Sequence, residues 1–87
     1  MRFNDTFVSK EDRYSLGVEH DSGRNYVSVP VSNGFVDYEE YYAITAEEYE
    51  SFAVDRVAAV DFVESCRRRE QDALLIQRPG TNRGTPV

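Results

Sequence analysis

Residues 25–44, NYVSVPVSNGFVDYEEYYAI, decide how this chain folds. At their centre lies Asn33-Gly34, which favours a tight two-residue type I′ turn because both central positions of that turn need a positive φ. Such a turn joins two antiparallel strands and sets their register, with Val29 opposite Tyr38. The sequence therefore predicts a β-hairpin at this point of the chain.

Side chains alternate along the two predicted strands, so the hairpin has two different faces. The face expected to meet the core is apolar, and it carries Val27, Val29, Val31, Val36 and Tyr38. The opposite face is polar and aromatic, and it carries Tyr26, Ser28, Asp37, Glu39 and Tyr41. In this register Tyr26 lies opposite Tyr41. Glu40 falls on the core face, and we expect it at the rim because an unpaired buried carboxylate is costly.

A third strand precedes the hairpin. Residues 13–20, RYSLGVEH, alternate well, and the turn that follows them would set Leu16 opposite Val29. Both turns place apolar side chains against the same row of valines, which favours a three-stranded antiparallel meander. Residues 1–8 have irregularly spaced apolar side chains and predict a short edge strand. Residues 73–77, ALLIQ, are a candidate for one more strand.

Two helices are predicted after the strands. Thr45 and Glu48 have the spacing of a capping box, so a helix begins after Thr45 and runs to about Val54. Asp55 is a second N-cap and opens a helix that runs to about Glu70. The predicted fold class is α+β, with an antiparallel meander sheet of three to five strands and two C-terminal helices packed on one face.

Length and composition indicate a single small domain. The chain has 87 residues, of which 40% are hydrophobic, enough for one modest core. We expect residues 1–78 to form this domain and residues 79–87 to be a tail that is mobile or lies along the surface. No apolar run approaches the roughly 20 residues of a membrane span, and the N-terminus lacks the apolar stretch of a signal peptide. A single cysteine, Cys66, suits a reducing compartment, so we expect a cytoplasmic protein that does not bind membranes.

The charge of the chain is negative and unevenly distributed. Sixteen acidic residues stand against ten basic ones, which gives a net charge of −6. Between Arg24 and Arg56 there is no Lys or Arg, whereas seven residues of that interval are acidic. A negative field disfavours binding to nucleic acid and steers basic partners toward the protein. The alternative is that the charge only keeps a small protein soluble.

Residues suited to catalysis or cofactor binding are few. The only histidine, His20, and the only cysteine, Cys66, would have to be brought together by the fold to act as a nucleophilic pair. The acidic residues lack the spacing of a calcium loop, and no glycine-rich phosphate loop is present. Asp37 and Glu39 share a strand face, but a glycosidase-like pair needs a cleft that a small flat sheet seldom provides. We therefore predict a protein that is not an enzyme and has no metal or other cofactor.

The sequence favours recognition of a basic protein instead. The strand over residues 35–42 combines carboxylates, which pair with Lys and Arg, with tyrosines, which supply contact area at low entropic cost. The predicted partner-binding residues are Tyr26, Asp37, Tyr38, Glu39, Glu40, Tyr41 and Tyr42. An alternative is a small structural or regulatory homo-oligomer, such as a homodimer, in which a second copy covers the same face or a sheet edge.

Residues 14–42, YSLGVEHDSGRNYVSVPVSNGFVDYEEYY, with the later CRRRE and RPGTNRGTP, resemble small acidic bacterial immunity-type proteins found beside polymorphic or contact-dependent toxins. The resemblance is one of style, a short acidic chain without a catalytic set, and it points to no named family. It implies an immunity protein, which binds a toxin domain and blocks its active site or substrate groove. Toxins that act on nucleic acid have basic grooves, and a negative protein face would engage such a groove quickly.

Overall fold

Four strands follow one another along the chain and lie side by side in one antiparallel sheet, and two helices come after them. The structure is a computed structural model that describes residues 1–87. Its elements are β1 (Phe3–Ser9), β2 (Tyr14–Glu19), β3 (Asn25–Ser32), β4 (Asp37–Ile44), α1 (Ala46–Val54), α2 (Arg56–Arg67), a 3-10 turn (Asp72–Leu74) and β5 (Thr85–Pro86). The order across the sheet is β1-β2-β3-β4, and β5 pairs with the end of β3. The predicted α+β fold, with a meander sheet and two C-terminal helices, is confirmed.

The strand registers differ from the predicted ones by two residues. Val29 lies opposite Glu40 rather than Tyr38, and Leu16 lies opposite Val27 rather than Val29. A shift of one residue would move every side chain to the other face, but a shift of two leaves each on its predicted face. The predicted pairs were therefore wrong, while the assignment of Val27, Val29 and Val31 to the core face was right. Val36, assigned to the same face, lies in the loop before β4 and is exposed.

The loop between β3 and β4 explains the shift between these two strands, because it has four residues, 33–36, instead of two. The Asn33 side-chain Oδ1 accepts hydrogen bonds from the backbone N–H groups of Phe35 (2.9 Å) and Val36 (3.0 Å). Gly34 has a φ of 91°. Asn33 and Gly34 therefore belong to the turn, as predicted. The turn is a four-residue loop closed by hydrogen bonds to the Asn33 side chain, however, and not a two-residue type I′ turn.

Both helices begin where their capping residues predict. Thr45 Oγ1 accepts from the Glu48 backbone N–H (3.0 Å), and the Glu48 carboxylate accepts from the Thr45 N–H (2.9 Å). Asp55 accepts from the Ala58 N–H (3.1 Å) at the start of α2, which ends at Arg67, three residues before the predicted end. The helices cover one face of the sheet, and the core between them consists of Tyr14, Leu16, Val27, Val29, Tyr42, Ile44, Phe52, Ala59, Val63 and Cys66. Neither helix is long and apolar enough to cross a membrane.

The C-terminal segment lies against the sheet. Residues 73–77 do not form the strand considered for them: Leu75 makes a single bridge to Tyr42. Farther on, β5 pairs with Val31 and Ser32 of β3. The tail from residue 79 onward was expected to be mobile or to lie along the surface. In the structure its last residues pair with the sheet.

Candidate functional site

The face of the sheet turned away from the helices, which we call the outer face, holds a cluster of three aromatic rings. Phe3 stacks on Tyr41 with ring centroids 3.6 Å apart. Tyr26 meets both rings edge-on, at 5.4 Å from Phe3 and 5.0 Å from Tyr41. The Tyr26 hydroxyl donates to Asp5 (2.6 Å), and its ring is fully buried. Tyr26 was therefore wrongly predicted as an exposed anchor, because the Phe3 and Asp5 side chains of the edge strand β1 contact it.

Gly17 makes this burial possible. A Cβ atom on Gly17 would lie 2.2 Å from the Asn4 carbonyl oxygen and 2.4 Å from the Tyr26 hydroxyl oxygen. The absence of a side chain at this position on β2 lets the Tyr26 ring lie across the strand. The aromatic cluster is thus a small second core, built on the face predicted to be open.

Three carboxylates on or beside the outer face have no basic partner. Asp5 and Asp37 are exposed and Glu39 is half-buried, and none of them takes part in an ion pair. Glu39 accepts a hydrogen bond from the Ser28 hydroxyl (3.0 Å). Burial raises the pKa of Glu39, and the negative charge of Asp5 adds to that shift. These three carboxylates therefore have no ion-pair partner within the chain.

The alternate residues of β4 point to the helices instead. Tyr42 is in the core, where its hydroxyl donates to Glu40 (3.1 Å). Glu40 is buried on the helix-facing side of β4 rather than solvent-exposed at the rim, and it is 8% exposed. Its charge is tolerated because Arg83 donates to both of its carboxylate oxygens, at 2.7 and 3.0 Å. Glu40 and Tyr42 were therefore wrongly predicted as contact residues, since the period of the strand turns them inward.

The Glu19 carboxylate, at the end of β2, is also occupied by hydrogen bonds within the protein. It accepts from the backbone N–H groups of Arg2 (3.0 Å), Asp21 (2.9 Å) and Ser22 (3.0 Å). These hydrogen bonds lower the pKa of Glu19 to about 2. The side chain ties the N-terminus to the β2–β3 loop and leaves no free acceptor surface for a partner.

Sequence reasoning missed the tip of the β3–β4 hairpin as a candidate contact. Phe35 is 88% exposed and Val36 57% exposed. The hydrogen bonds from this loop to Asn33 hold the tip, and the Asn33 amide also donates to the Asn82 carbonyl (3.3 Å). Phe35 and Val36, the apolar pair after Asn33-Gly34, were compatible with a longer loop, but they were equally compatible with the start of a strand.

A cavity of about 380 Å³ lies beside β4. Tyr38, Glu39, Glu40 and Tyr41 form its strand wall, and residues 77–82 contribute the opposite wall. Of the seven predicted contact residues, Asp37, Glu39 and Tyr41 lie on the outer side of β4. Tyr38 is half-buried on the core side of the same cavity, where its hydroxyl accepts from the Gly84 N–H (2.7 Å).

Groups that could carry other chemistry are arranged differently. The Cys66 side chain is 2% exposed, and burial raises the pKa of its thiol to about 12, so the thiol stays protonated and unreactive at neutral pH. No three His, Cys, Asp or Glu side chains are grouped so that they could hold a metal ion. Compared with models of protein families, with curated proteins and with solved structures, the chain matches none.

Proposed function

We propose that this protein is a protein-binding module of the immunity type, which neutralises a toxin domain by docking against a basic groove of that domain. The docking surface consists of the accessible outer side of β4 and the hairpin tip that precedes it. The observation that carries the proposal is the set of carboxylates, Asp5, Asp37 and Glu39, that face outward without a basic partner.

Charge supports a basic partner. None of the ten basic residues of the chain pairs with Asp5, Asp37 or Glu39: Arg83 pairs with Glu40 on the other side of β4, and Arg56 and Arg2 pair with Asp12 and Asp21. Uncompensated carboxylates on one surface accelerate encounter with a positively charged groove, by about 10- to 1,000-fold at low salt. They also repel nucleic acid from the same surface, because carboxylates carry charge of the same sign as its phosphates and mimic them.

The aromatic side chains of this surface favour a tight complex, in addition to the long-range attraction that the carboxylates supply. Tyr41 is held in place by Phe3, with which it is stacked at 3.6 Å, so little rotamer freedom is lost when a partner covers it. Phe35 extends from a loop that is already held by hydrogen bonds to Asn33. Exposed aromatics that need no reorganisation are typical anchors of protein interfaces.

The gene neighbourhood is the first test. The proposal expects a gene for a large secreted toxin immediately upstream, and co-expression of this chain should then restore growth to cells that express the toxin domain. A neighbourhood of metabolic enzymes, with no toxin, would contradict the proposal.

Charge reversal is the direct test of the surface. Asp37→Lys with Glu39→Lys should slow association with the toxin domain by about tenfold or more and weaken its salt dependence. The matched control is Glu50→Lys with Asp61→Lys, which changes the net charge equally at two exposed helix positions without ion pairs. Equal slowing by both double variants would show that only net charge matters and that this face is not the site.

The homo-oligomer remains a second candidate because one sheet edge is open. The outer edge of β1 has no strand partner, and Phe7 and Val8 beside it are 45% and 54% exposed. A bulge between Asp5 and Phe7 interrupts this edge, and bulges oppose edge-to-edge pairing. Light scattering after size-exclusion chromatography distinguishes the two: a stable dimer that Val8→Lys converts to a monomer would favour the homo-oligomer.

A further inference from the structure

The tip of the β3–β4 hairpin, residues 33–36, is closed on itself by hydrogen bonds. The backbone N–H groups of Phe35 and Val36 donate to the Asn33 side chain, at 2.9 and 3.0 Å. The Asn33 N–H donates to the Val36 carbonyl (3.2 Å), and the Gly34 N–H donates to the Ser32 hydroxyl (3.3 Å). All four N–H groups of the tip therefore have acceptors within the chain, so a partner would contact the tip through its side chains rather than by adding a strand to it.

Two apolar side chains of this closed tip are left uncovered. The tip lies beyond Ser32 and Asp37, the last paired residues of β3 and β4. Phe35 is 88% exposed and its ring takes part in no aromatic pair, and Val36 beside it is exposed as well. Because the backbone that carries them is already held, little entropy is lost when a partner buries these side chains.

We infer that Phe35 acts as a plug, which inserts into an apolar pocket of the partner protein whose rim carries Lys or Arg. The inference rests on the proposed function and deepens it by naming the shape and the chemistry of the partner's groove. A ring at the end of a sheet is buried by a concave surface, whereas a flat surface would leave much of it in water. Interface anchors are typically aromatic side chains in such desolvated pockets.

The charge beside the tip indicates the chemistry of the rim. Asp37 follows Val36 directly, is exposed and forms no ion pair. No Lys or Arg occurs between Arg24 and Arg56, so neither strand of the hairpin supplies a cation. A carboxylate at the edge of a filled pocket is complementary to a Lys or Arg on its rim, which steers the encounter and fixes the orientation of the plug.

A lipid surface and a second copy of this chain fit the tip less well. Anionic headgroups would repel Asp37 and the other carboxylates of the hairpin. A second copy offers a cavity of about 260 Å³ that is lined mainly by apolar residues, such as Phe52. The same cavity is lined by Glu11 and Asp12, two carboxylates against the single guanidinium of Arg56. Its charge therefore opposes an acidic tip.

The first test imitates the pocket with β-cyclodextrin, a ring of sugars with an apolar cavity. The full chain is titrated, with NMR detection, with neutral β-cyclodextrin, with an amino derivative that has a cationic rim and with a carboxymethyl derivative that has an anionic rim. We expect the cationic probe to shift the amide signals of Gly34 and Val36 in a saturable way. It should bind about threefold more tightly than the neutral probe, the scale of an exposed ion pair, and the anionic probe should bind more weakly than the neutral one.

Variants connect this binding to the tip. Phe35→Ala should abolish the shifts, whereas Val54→Ala, at a valine that is 89% exposed on α1, should leave them unchanged. Asp37→Asn should remove the preference for the cationic rim and retain binding of the neutral probe. Shifts that persist in Phe35→Ala, or a tip that binds all three probes equally, would overturn the inference.

The second test measures affinity for the toxin domain of the proposed function. Phe35→Ala should weaken binding by about 30-fold or more, as the loss of an interface anchor does. Phe35→Leu, which keeps a large apolar side chain, should retain most of the affinity, and Val54→Ala should retain all of it. Equal affinities of Phe35→Ala and Val54→Ala would overturn the inference. So would a dimer of the chain, or binding to anionic vesicles, that Phe35→Ala abolishes.

Failure of this inference and failure of the proposed function give different results. If Phe35→Ala binds the toxin domain like wild type while Asp37→Lys with Glu39→Lys does not, the acidic surface remains and the plug is removed. If the chain protects against no toxin, the immunity function is lost. Binding of the cationic probe through Phe35 would then still show that the tip accepts an apolar pocket with a cationic rim.

Discussion

The guanidinium of Arg83 donates to both carboxylate oxygens of Glu40, at 2.7 and 3.0 Å, and also to both oxygens of Asp72, at 2.8 and 3.0 Å. Glu40 is buried on the helix-facing side of β4, and Arg83 comes from the last five residues of the chain. The C-terminal segment therefore compensates a buried charge of β4, and residues 77–82 also form the far wall of the cavity beside that strand.

Removing Arg83 should leave Glu40 buried and unpaired. We expect Arg83→Met to lower the free energy of unfolding by about 3–5 kcal/mol, because an uncompensated buried charge is costly. The double variant Glu40→Met with Arg83→Met should recover most or all of that loss, since an apolar pair of similar volume often replaces a buried ion pair without loss. Urea denaturation measures both, with Arg78→Met as the control. A single variant as stable as the wild type would contradict the pairing.

Gly17 should not tolerate a methyl group. Gly17→Ala would bring Cβ within 2.2 Å of the Asn4 carbonyl oxygen, and overpacking of this kind costs about 1–3 kcal/mol. The variant should also change the near-ultraviolet circular dichroism, because the Tyr26 ring must move. Gly80→Ala is the control, since nothing lies within 4 Å of its Cβ position. If both variants were equally stable, the aromatic cluster would not depend on Gly17.

Glu19 should make the protein sensitive to acid. Its pKa is lowered to about 2, so its hydrogen bonds contribute stability that is fully present above the ordinary value of 4.5 and is lost as the pH falls toward 2. Glu19→Gln should therefore lower the melting temperature at pH 7, and the difference from wild type should shrink between these two values. Thermal unfolding followed by circular dichroism across this range measures it. A difference that stays constant with pH would show that charge is not involved.

Glu39 should affect the stability of the fold in the opposite direction to Glu19. Because its pKa is raised in the folded state, the folded protein takes up its proton more readily than the unfolded chain does. The ionised carboxylate is therefore unfavourable to folding at neutral pH, and Glu39→Gln should raise the melting temperature there. The gain should disappear as the pH falls below the ordinary value of 4.5 for a glutamate, where wild type is also neutral. A variant less stable than wild type at pH 7 would contradict this.

A residue that lowers stability and yet lies on an accessible surface is typical of functional sites. The same substitution, Glu39→Gln, is expected to raise stability and to slow association with the toxin domain. These opposite effects separate a docking role of Glu39 from a purely structural one.

The candidate site was only partly predictable from sequence. Asp37, Glu39 and Tyr41 were placed on the correct face because alternation along a strand needs no knowledge of its partners. Tyr26 lies on that face too, but it is covered because of its neighbours Phe3 and Gly17, which alternation along the strand does not reveal. Phe35 could not be assigned, because two- and four-residue loops share the Asn33-Gly34 signal.

Local pattern by itself determined the α+β class, the two faces of the hairpin and the starts of both helices. These features depend on alternation, turn residues and caps within a few positions of each other. Only the tertiary structure decided the register, the cover over Tyr26 and the pairing of Glu40 with Arg83, 43 residues apart. Such contacts depend on how the sheet curves and where the chain returns to it, and no short stretch of sequence contains that information.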